Sequence, residues 1–376
     1  MKKIDVRLAD RSYSVLIGRN LFPRLGSLLK PLRLGSNILI VSNRKVAGFF
    51  LNPVRESLRK AGFKVAAPYL LSHGNERDKS SDSLSRLWQH MAQSGLERSS
   101  TLLALGGGVV GDLAGFAAST YMRGISVVQV PTTLLAQVDA AVGGKAAIDL
   151  PSAKNIVGTF YQPRIVIADV KALDPFTRFR KQELRNGFAE VIKYGMIADP
   201  ELFQLLEAKL QWFLDSISKK FSLGDSELSF LETLVWRSAR IKAKIVSEDE
   251  HEKKGKRLIL NYGHTFAHAF EAATGYRMPH GEAVALGMVC AARLAVTRGL
   301  LGKETERRQN QLIQSAGLPA KVPKRFKMSR FIRPMMLDKK KKDGKLRFVL
   351  PEAVGRVRVV DNVSPGEIKS VLMNLD

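Results

Sequence analysis

Short apolar runs alternate with amphipathic segments over the first 170 residues of the chain. Residues 36–42, 101–105, 125–130 and 164–168 are the apolar runs, and helical patterns lie between them, as at 52–62 and 81–94. Strands that are apolar at consecutive positions are typical of a parallel sheet covered by helices on both faces. The pattern therefore predicts an α/β N-terminal domain with a mostly parallel sheet.

The hydrophobic period becomes helical after about residue 175. Helices are predicted over residues 181–198, 200–220, 226–247, 262–274, 281–299 and 303–316. Strand patterns return only at 346–350 and 356–360, which we expect to pair as a hairpin. We predict an α/β domain over residues 1–172 and an α-helical C-terminal domain over 173–376, with the crevice between them as the default site.

Composition narrows the class of protein. The chain has 376 residues, 45% of them hydrophobic, which is enough for two cores and excludes a disordered chain. Cys290 is the single cysteine, so a disulfide within the chain is excluded and a reducing, cytoplasmic compartment is favoured. The charged N-terminal residues do not resemble a signal peptide, and the apolar stretch 283–296 is too short to span a membrane.

The net charge of +25 suggests nucleic-acid binding as a hypothesis. Twelve of the basic residues lie between Lys321 and Arg347, without a helix-turn-helix, zinc-finger or aromatic RNA-binding motif. We interpret the excess as solvated basic surface, and secondarily as an attraction for small anions. A nucleic-acid-binding protein is the alternative from a different class, and we expect no specific nucleic-acid partner and no membrane partner.

A glycine-rich turn is the first candidate for chemistry. Gly106, Gly108 and Gly111 follow the strand 101–105 and precede the helical run 113–118. In that context glycines let the N-terminus of a helix approach a pyrophosphate, which predicts a nucleotide-binding domain. The dinucleotide fingerprint also expects an acidic residue about twenty positions on, where this chain has Gln129 between two valines. A tight turn without a ligand is the alternative.

Three histidines and a glutamate form the second candidate. His264 and His268 are spaced i, i+4 and lie on one helix face, and His280 begins the next predicted helix. With Glu190 they offer ligands for a three-ligand metal site with an open position, composed either of two histidines and the glutamate or of all three histidines. The spacing does not choose between these sets, and a structural histidine pair is the alternative.

Polar residues in apolar surroundings form the third candidate. Asp139 and Lys145 lie six residues apart, where buried charges need partners. They form either a structural ion pair or a site in which the lysine meets a phosphate or carboxylate and the aspartate meets hydroxyl groups. The other members of this set are Thr132, Thr133, Gln137, Gly143, Gly144, Lys154 and Asn155.

Five stretches together resemble the signature motifs of the 3-dehydroquinate synthase family, in the sugar phosphate cyclase superfamily. They are residues 106–112, 131–145, 187–195, 260–268 and 280–284, in the family's order across nearly the whole chain. The resemblance implies conversion of 3-deoxy-D-arabino-heptulosonate 7-phosphate to 3-dehydroquinate and phosphate, a step of the shikimate route to aromatic amino acids. It also implies NAD, which oxidises the C5 hydroxyl transiently, and one Zn²⁺ or Co²⁺ per subunit.

The resemblance further implies the roles of individual residues. The metal ligands are Glu190, His264 and His280. The residues implied at the substrate are Asp139, Lys145, Asn155, Lys193, Lys242, Arg257, Asn261, His268 and Lys340. Those implied at NAD are Asn43, Glu76, Lys79, Gly107, Gly108, Asp112, Thr132, Thr133, Lys145 and Lys154. Arg123 is implied to reach the phosphate site of a neighbouring subunit, so a homodimer is expected.

The chain departs from the family pattern at three places. Ser42-Asn43 stands where the family has an aspartate for the adenosine ribose, Arg178-Phe179-Arg180 replaces a Thr-Leu-Pro segment, and one extra residue lies within 252–257. Another sugar phosphate cyclase and a metal-dependent alcohol or glycerol dehydrogenase are the alternative enzymes. Of these, only the dehydrogenase releases NADH stoichiometrically.

Overall fold

The computed structural model describes residues 1–150, 153–174, 181–220, 222–322, 331, 335 and 346–373. The chain divides into two compact units. The first contains residues 1–179 and 222–251, and the second contains residues 180–221 and 252–376. The chain therefore passes from one unit to the other three times.

Eight strands of the described chain form the sheet of the first unit. They are β1 (Lys2–Val6), β2 (Tyr13–Gly18), β3 (Asn37–Asn43), β4 (Lys64–Val65), β5 (Tyr69–Leu71), β6 (Thr101–Gly106), β7 (Ser126–Pro131) and β10 (Ile165–Asp169). Their order is β1-β2-β10-β7-β6-β3-β4, with β5 beside β3, and β1–β2 is the antiparallel pair. A separate antiparallel pair is formed by β8 (Lys145–Leu150) and β9 (Ala153–Phe160). The predicted mostly parallel sheet is confirmed.

Helices cover this sheet and make up most of the second unit. In chain order they are α1 (Leu25–Leu29), α2 (Arg44–Lys60), α3 (Ser81–Gln93), α4 (Gly108–Thr120), α5 (Lys181–Ala198), α6 (Pro200–Lys219), α7 (Asp225–Glu248), α8 (His264–Ala273), α9 (His280–Thr297), α10 (Lys303–Ser315) and α11 (Pro365–Met373). The six helices predicted after residue 175 are confirmed to within two residues at each end. The helix predicted at 52–62 begins eight residues earlier, at Arg44, because the Asn43 side chain caps it.

Alternate residues of each buried strand enter different cores. In β3, Ile38 and Ile40 pack with residues of α1 and α2, whereas Leu39 and Val41 pack with residues of α3 and α4. This two-sided burial explains why the strands are apolar at consecutive positions. The second unit also contains β11 (Phe348–Ala353) and β12 (Arg356–Val360), which pair antiparallel as the sequence predicts. No helix among the described residues has both the length and the apolar character needed to cross a membrane.

Candidate functional site

Three helices of the second unit bring a carboxylate and two imidazoles together. Glu190 lies inside α5, and His264 and His280 are the first residues of α8 and α9. The Oε1 atom of Glu190 lies 3.6 Å from Nε2 of His264 and 3.5 Å from Nε2 of His280. The three ligand atoms all lie within 4.8 Å of one another, and Glu190 is completely buried.

This donor set fits a divalent cation. Ligand atoms that hold zinc at ~2.0–2.1 Å in tetrahedral geometry are separated by ~3.3–3.4 Å, which is close to the two distances from Glu190. Two neutral imidazoles and one carboxylate are the composition of catalytic zinc sites that keep a fourth position open. Of the two ligand sets that the spacing left open, this geometry favours the one with the glutamate and two histidines.

A close approach of α8 and α9 sets the position of His264. Gly263, just before His264, has a left-handed backbone with φ of +79°, and a Cβ atom there would lie 2.8 Å from the backbone nitrogen of Met288. A Cβ atom on Gly287 of α9 would lie 2.1 Å from the carbonyl oxygen of Gly263. Only glycine allows both the backbone conformation and the contact. The two glycines thus fix the start of α8 against α9.

Each imidazole is also held through its Nδ1 atom. The ring of His264 lies with Nδ1 3.2 Å from the backbone carbonyl oxygen of Tyr262, and the ring of His280 lies with Nδ1 3.4 Å from Oε1 of Glu271. Both Nε2 atoms therefore face Glu190. The ammonium of Lys193, one helical turn after Glu190, forms a buried ion pair with the same carboxylate.

The two imidazoles have opposite pKa shifts. Burial lowers the pKa of His264 to about 3. Burial also acts to lower the pKa of His280, but hydrogen bonds with Glu190 and Glu271 outweigh it and raise that pKa to about 10. In the absence of a cation, His264 is therefore neutral at pH 7 and His280 carries a proton.

His268 lies outside this group of three. Its side chain is exposed, and its ring centroid is 5.7 Å from that of His264, one turn away on the same helix. Two further residues expected at the substrate lie in the short helix that precedes α8. Arg257 is buried, with Nε 3.6 Å from Oε1 of Glu252, and Asn261 is the last residue of the short helix Lys256–Asn261.

Glu271 is a site residue that the sequence analysis missed. It lies three residues after His268 and seven after His264, so all three project from one face of α8. This helical spacing was the signal that could have identified it.

The glycine turn of the first unit lies between β6 and α4. Gly107 precedes α4 and Gly108 begins it, and a Cβ atom at these positions would lie 3.1 Å from the Thr133 methyl group and 3.3 Å from the Ala140 Cβ. The turn therefore packs closely on the residues after β7, which include the buried Thr132. Gln129, at the place of the expected acidic residue, donates a hydrogen bond to the Gly111 carbonyl at 3.1 Å and so supports α4.

Several of the expected NAD residues form one polar cluster in the first unit. The buried ammonium of Lys79 donates hydrogen bonds to Asp112, at 2.7 Å, and to Asn155. Burial acts to lower the pKa of Lys79, but Asp112 and Glu76 hold it above its ordinary value. Burial raises the pKa of Glu76, which Lys79 and Lys154 oppose. Asn155, expected at the substrate phosphate, is thus in direct contact with residues expected at NAD.

Asp139 pairs with a cation of the same unit. The Lys242 ammonium, on α7, lies 2.5 Å from Oδ1 of Asp139 and 2.8 Å from its carbonyl oxygen. Lys145 begins β8 with an exposed side chain, and Arg123 is exposed with φ of +64°. The Asn43 side chain accepts the Val46 backbone N–H at 2.9 Å as the cap of α2. Lys340 and Arg178-Phe179-Arg180 lie outside the described residues.

Comparisons with known proteins give one consistent family. The model for the N-terminal part of 3-dehydroquinate synthase matches residues 69–183, and the model for the C-terminal part matches residues 187–341. A 3-dehydroquinate synthase of Rippkaea orientalis (strain PCC 8801 / RF-1) is 45% identical over 373 residues, which cover 99% of this chain and 98% of that protein.

Solved structures with the same fold include sugar phosphate cyclases and, at 14% identity and a TM-score of 0.67, a glycerol dehydrogenase from Schizosaccharomyces pombe that covers 96% of this chain and 88% of that one. ValA, a 2-epi-5-epi-valiolone synthase from Streptomyces hygroscopicus subsp. jinggangensis 5008 with NAD⁺ and Zn²⁺ bound, matches with a TM-score of 0.86 at 25% identity, covering 100% of this chain and 98% of that one. A 2-deoxy-scyllo-inosose synthase complexed with carbaglucose-6-phosphate, NAD⁺ and Co²⁺ matches with a TM-score of 0.79 at 26% identity, covering 99% of both chains.

Proposed function

The chain belongs to the 3-dehydroquinate synthase family, and from that premise we propose how its residues bind the cation, the substrate and NAD. The reaction converts 3-deoxy-D-arabino-heptulosonate 7-phosphate to 3-dehydroquinate and inorganic phosphate, and the enzyme is a lyase that depends on NAD and a divalent metal. The identity of 45% across 99% of the chain carries this assignment. The cluster of Glu190, His264 and His280 supplies the chemistry that it requires.

We assign the cation to Glu190, His264 and His280. The distances between the donor atoms, which suit a tetrahedral cation, support this set, and a cation held by these three side chains would have room for substrate oxygens. When bound, such a cation supplies Lewis acidity, which makes a substrate hydroxyl easier to deprotonate. The Lys193 ammonium pairs with the Glu190 carboxylate and so places a positive charge beside this ligand.

The substrate carries a carboxylate and a phosphate, and we assign cations and amides to each. Arg257 and Lys242 suit the carboxylate, because buried cations with few water contacts attract an anion strongly. Asp139 positions Lys242 through their ion pair. The residues we assign to the phosphate are Lys145, Asn155 and Asn261, and His268 and Lys340 complete the set at the substrate.

We assign NAD to the first unit. Gly107 and Gly108 lie at the N-terminus of α4, where the first backbone N–H groups have no partner within a helix, and this supports a pyrophosphate there. The Lys79–Asp112–Asn155 cluster supports a polar site for the cofactor at this helix, because Asp112 lies in α4 four residues after Gly108. Glu76, Thr132, Thr133, Lys145, Lys154 and Asn43 are the remaining assigned contacts. The chemistry that NAD would supply at these residues is reversible hydride transfer.

We also propose a cytoplasmic homodimer. The single cysteine favours a reducing compartment. The exposed Arg123, held in a left-handed turn, is the residue we assign to the phosphate site of the second copy.

The activity is tested with the heptulosonate phosphate, NAD⁺ and a zinc salt. We expect phosphate and dehydroquinate in equal amounts, while NAD⁺ turns over without accumulating NADH. Stoichiometric growth of the NADH absorbance during turnover would reject the synthase and favour a dehydrogenase.

The ligand assignment is tested by metal content and activity. Glu190→Ala, His264→Ala and His280→Ala should each lose most of the bound zinc and the activity, because an incomplete three-ligand site binds weakly. His268→Ala, from the same face of α8, should keep near-stoichiometric zinc while kcat/KM falls. Zinc lost from folded His268→Ala but kept in His264→Ala would reverse the two assignments.

A further inference from the structure

Glu271 lies behind the candidate metal ligands rather than among them. Its carboxylate is buried, with only 4% of the residue exposed, and Oε1 lies 3.4 Å from Nδ1 of His280. The opposite nitrogen of that ring, Nε2, faces Glu190. The His280 imidazole therefore lies between two carboxylates, one on the side of the cation and one on the far side.

A carboxylate at Nδ1 determines which nitrogen of the ring is available to a metal. An ionised carboxylate only accepts hydrogen bonds, so the Nδ1 atom facing it carries the proton. The lone pair of the neutral ring is then on Nε2, which is the nitrogen directed at Glu190. Such outer carboxylates orient a histidine ligand and increase its basicity, and their loss weakens metal binding ~10–100-fold.

His264 is held differently. Its Nδ1 atom faces the backbone carbonyl of Tyr262, which no side-chain substitution removes. Within the described part of the chain, a side chain lies at Nδ1 of His280, whereas a backbone carbonyl lies at Nδ1 of His264. We propose that Glu271 is a positioning residue that fixes the tautomer and orientation of His280 for the cation, an inference that rests on the proposed ligand set.

The test measures zinc binding to the metal-free, full-length protein by competition with a chromophoric chelator. Glu271→Ala should weaken zinc binding ~10–100-fold. Glu271→Gln, which keeps an acceptor oxygen but loses the charge, should weaken it less and provides a second variant if the alanine protein does not fold. The matched control is Glu306→Gln, because Glu306 is a similarly buried glutamate of the same unit whose carboxylate pairs with Arg293. Its zinc affinity should stay within twofold.

A double-mutant cycle separates positioning from general destabilisation. If Glu271 acts through His280, then Glu271→Ala should cause no further loss of zinc affinity in the His280→Ala background. The visible spectrum of the Co²⁺-loaded protein should change in Glu271→Ala and remain as in the parent in Glu306→Gln. Folding is checked by circular dichroism in each variant.

Two results would overturn the inference, and they are distinguishable. Zinc affinity unchanged in folded Glu271→Ala and Glu271→Gln, with affinity lost in His280→Ala, would reject the role of Glu271 alone. Zinc affinity unchanged in Glu190→Ala, His264→Ala and His280→Ala would reject the proposed ligand set, and with it this inference.

Discussion

His264 and His280 face the same carboxylate with imidazoles in opposite charge states. The folded pKa of His280, about 10, is above its unfolded value of ~6.5. Its contribution to the stability of the metal-free protein is complete below pH ~6.5 and is lost as the pH rises toward 10. The pKa of His264 is lowered to about 3, so its contribution is present above pH ~6.5 and is lost as the pH falls toward 3.

The charge states are measured by nitrogen NMR of the metal-free protein with labelled histidine. We expect one imidazolium at pH 8 that titrates well above the ordinary histidine range, and one imidazole that stays neutral down to pH 4. Spectra of His280→Ala and His264→Ala assign the two signals. Titration of both rings near pH 6.5 would contradict the buried, hydrogen-bonded environments described above.

Single residues were predictable from the sequence where a motif or a spacing identifies them. The spacing of His264, His268 and His280 indicated a metal site, and the resemblance selected Glu190 as the third ligand. Glu271 shares the helical spacing of His264 and His268, which marks its position, but its contact with Nδ1 of His280 depends on the orientation of a ring on another helix, which that spacing does not contain. Lys242 was expected at the site, but its ion pair with Asp139 joins residues 103 positions apart.

Two helical glycines differ in what surrounds them, which predicts opposite effects of alanine. Gly48 in α2 is exposed, and a Cβ atom added there would meet no other atom within 4 Å, so Gly48→Ala should stabilise the protein by ~0.5–1 kcal/mol. A Cβ atom on Gly287 of α9 would lie 2.1 Å from the Gly263 carbonyl oxygen. Gly287→Ala should therefore destabilise it by ~1–3 kcal/mol, as overpacking does.

The consequence for zinc distinguishes this contact from ordinary strain. The Gly263 carbonyl accepts the Ala267 N–H in the first turn of α8, so a shift of that carbonyl also moves His264. We expect Gly287→Ala to weaken zinc binding and Gly48→Ala to leave it unchanged. Chelator competition measures the zinc affinity, and urea unfolding measures the stability of each variant. Equal stabilisation by both substitutions would show that α8 and α9 separate easily.

Helices and strands were predictable where their buried residues give the sequence a clear hydrophobic period. The strands of the parallel core and the helices after residue 175 appear in the sequence at nearly their final bounds, because each is apolar on the surface it buries. The β8–β9 pair was not predicted, since none of the eight residues of β9 is fully buried and its burial pattern does not alternate. The first turns of α2 were missed because Pro53, a residue typical of a helix start, lies inside this helix, which begins nine residues earlier beside the Asn43 cap.

The division of the whole molecule depends on contacts between distant parts of the sequence. Helix α7 has the same amphipathic character as its neighbours, yet it groups with the first unit. Arg19 illustrates why, because it forms ion pairs with Asp225 at 2.9 Å and Glu232 at 3.3 Å. The hydrophobic period along the chain gives no information about such distant partners. The sequence therefore predicts helix α7 but not the unit to which it belongs.

All three candidate metal ligands lie in the second unit, so removing the cation should affect that unit selectively. The ligands come from α5, α8 and α9, and a bound cation links these helices. Because a ligand that binds only the folded state stabilises it, chelation should increase amide hydrogen exchange in peptides from Lys181–Ala198, His264–Ala273 and His280–Thr297.

Peptides from β3 and β6, in the first unit, should exchange at the same rate with and without the chelator. Exchange measured by mass spectrometry, with zinc added back to restore protection, tests this expectation. A uniform increase across both units would show that the cation stabilises the whole molecule rather than the helices that bind it.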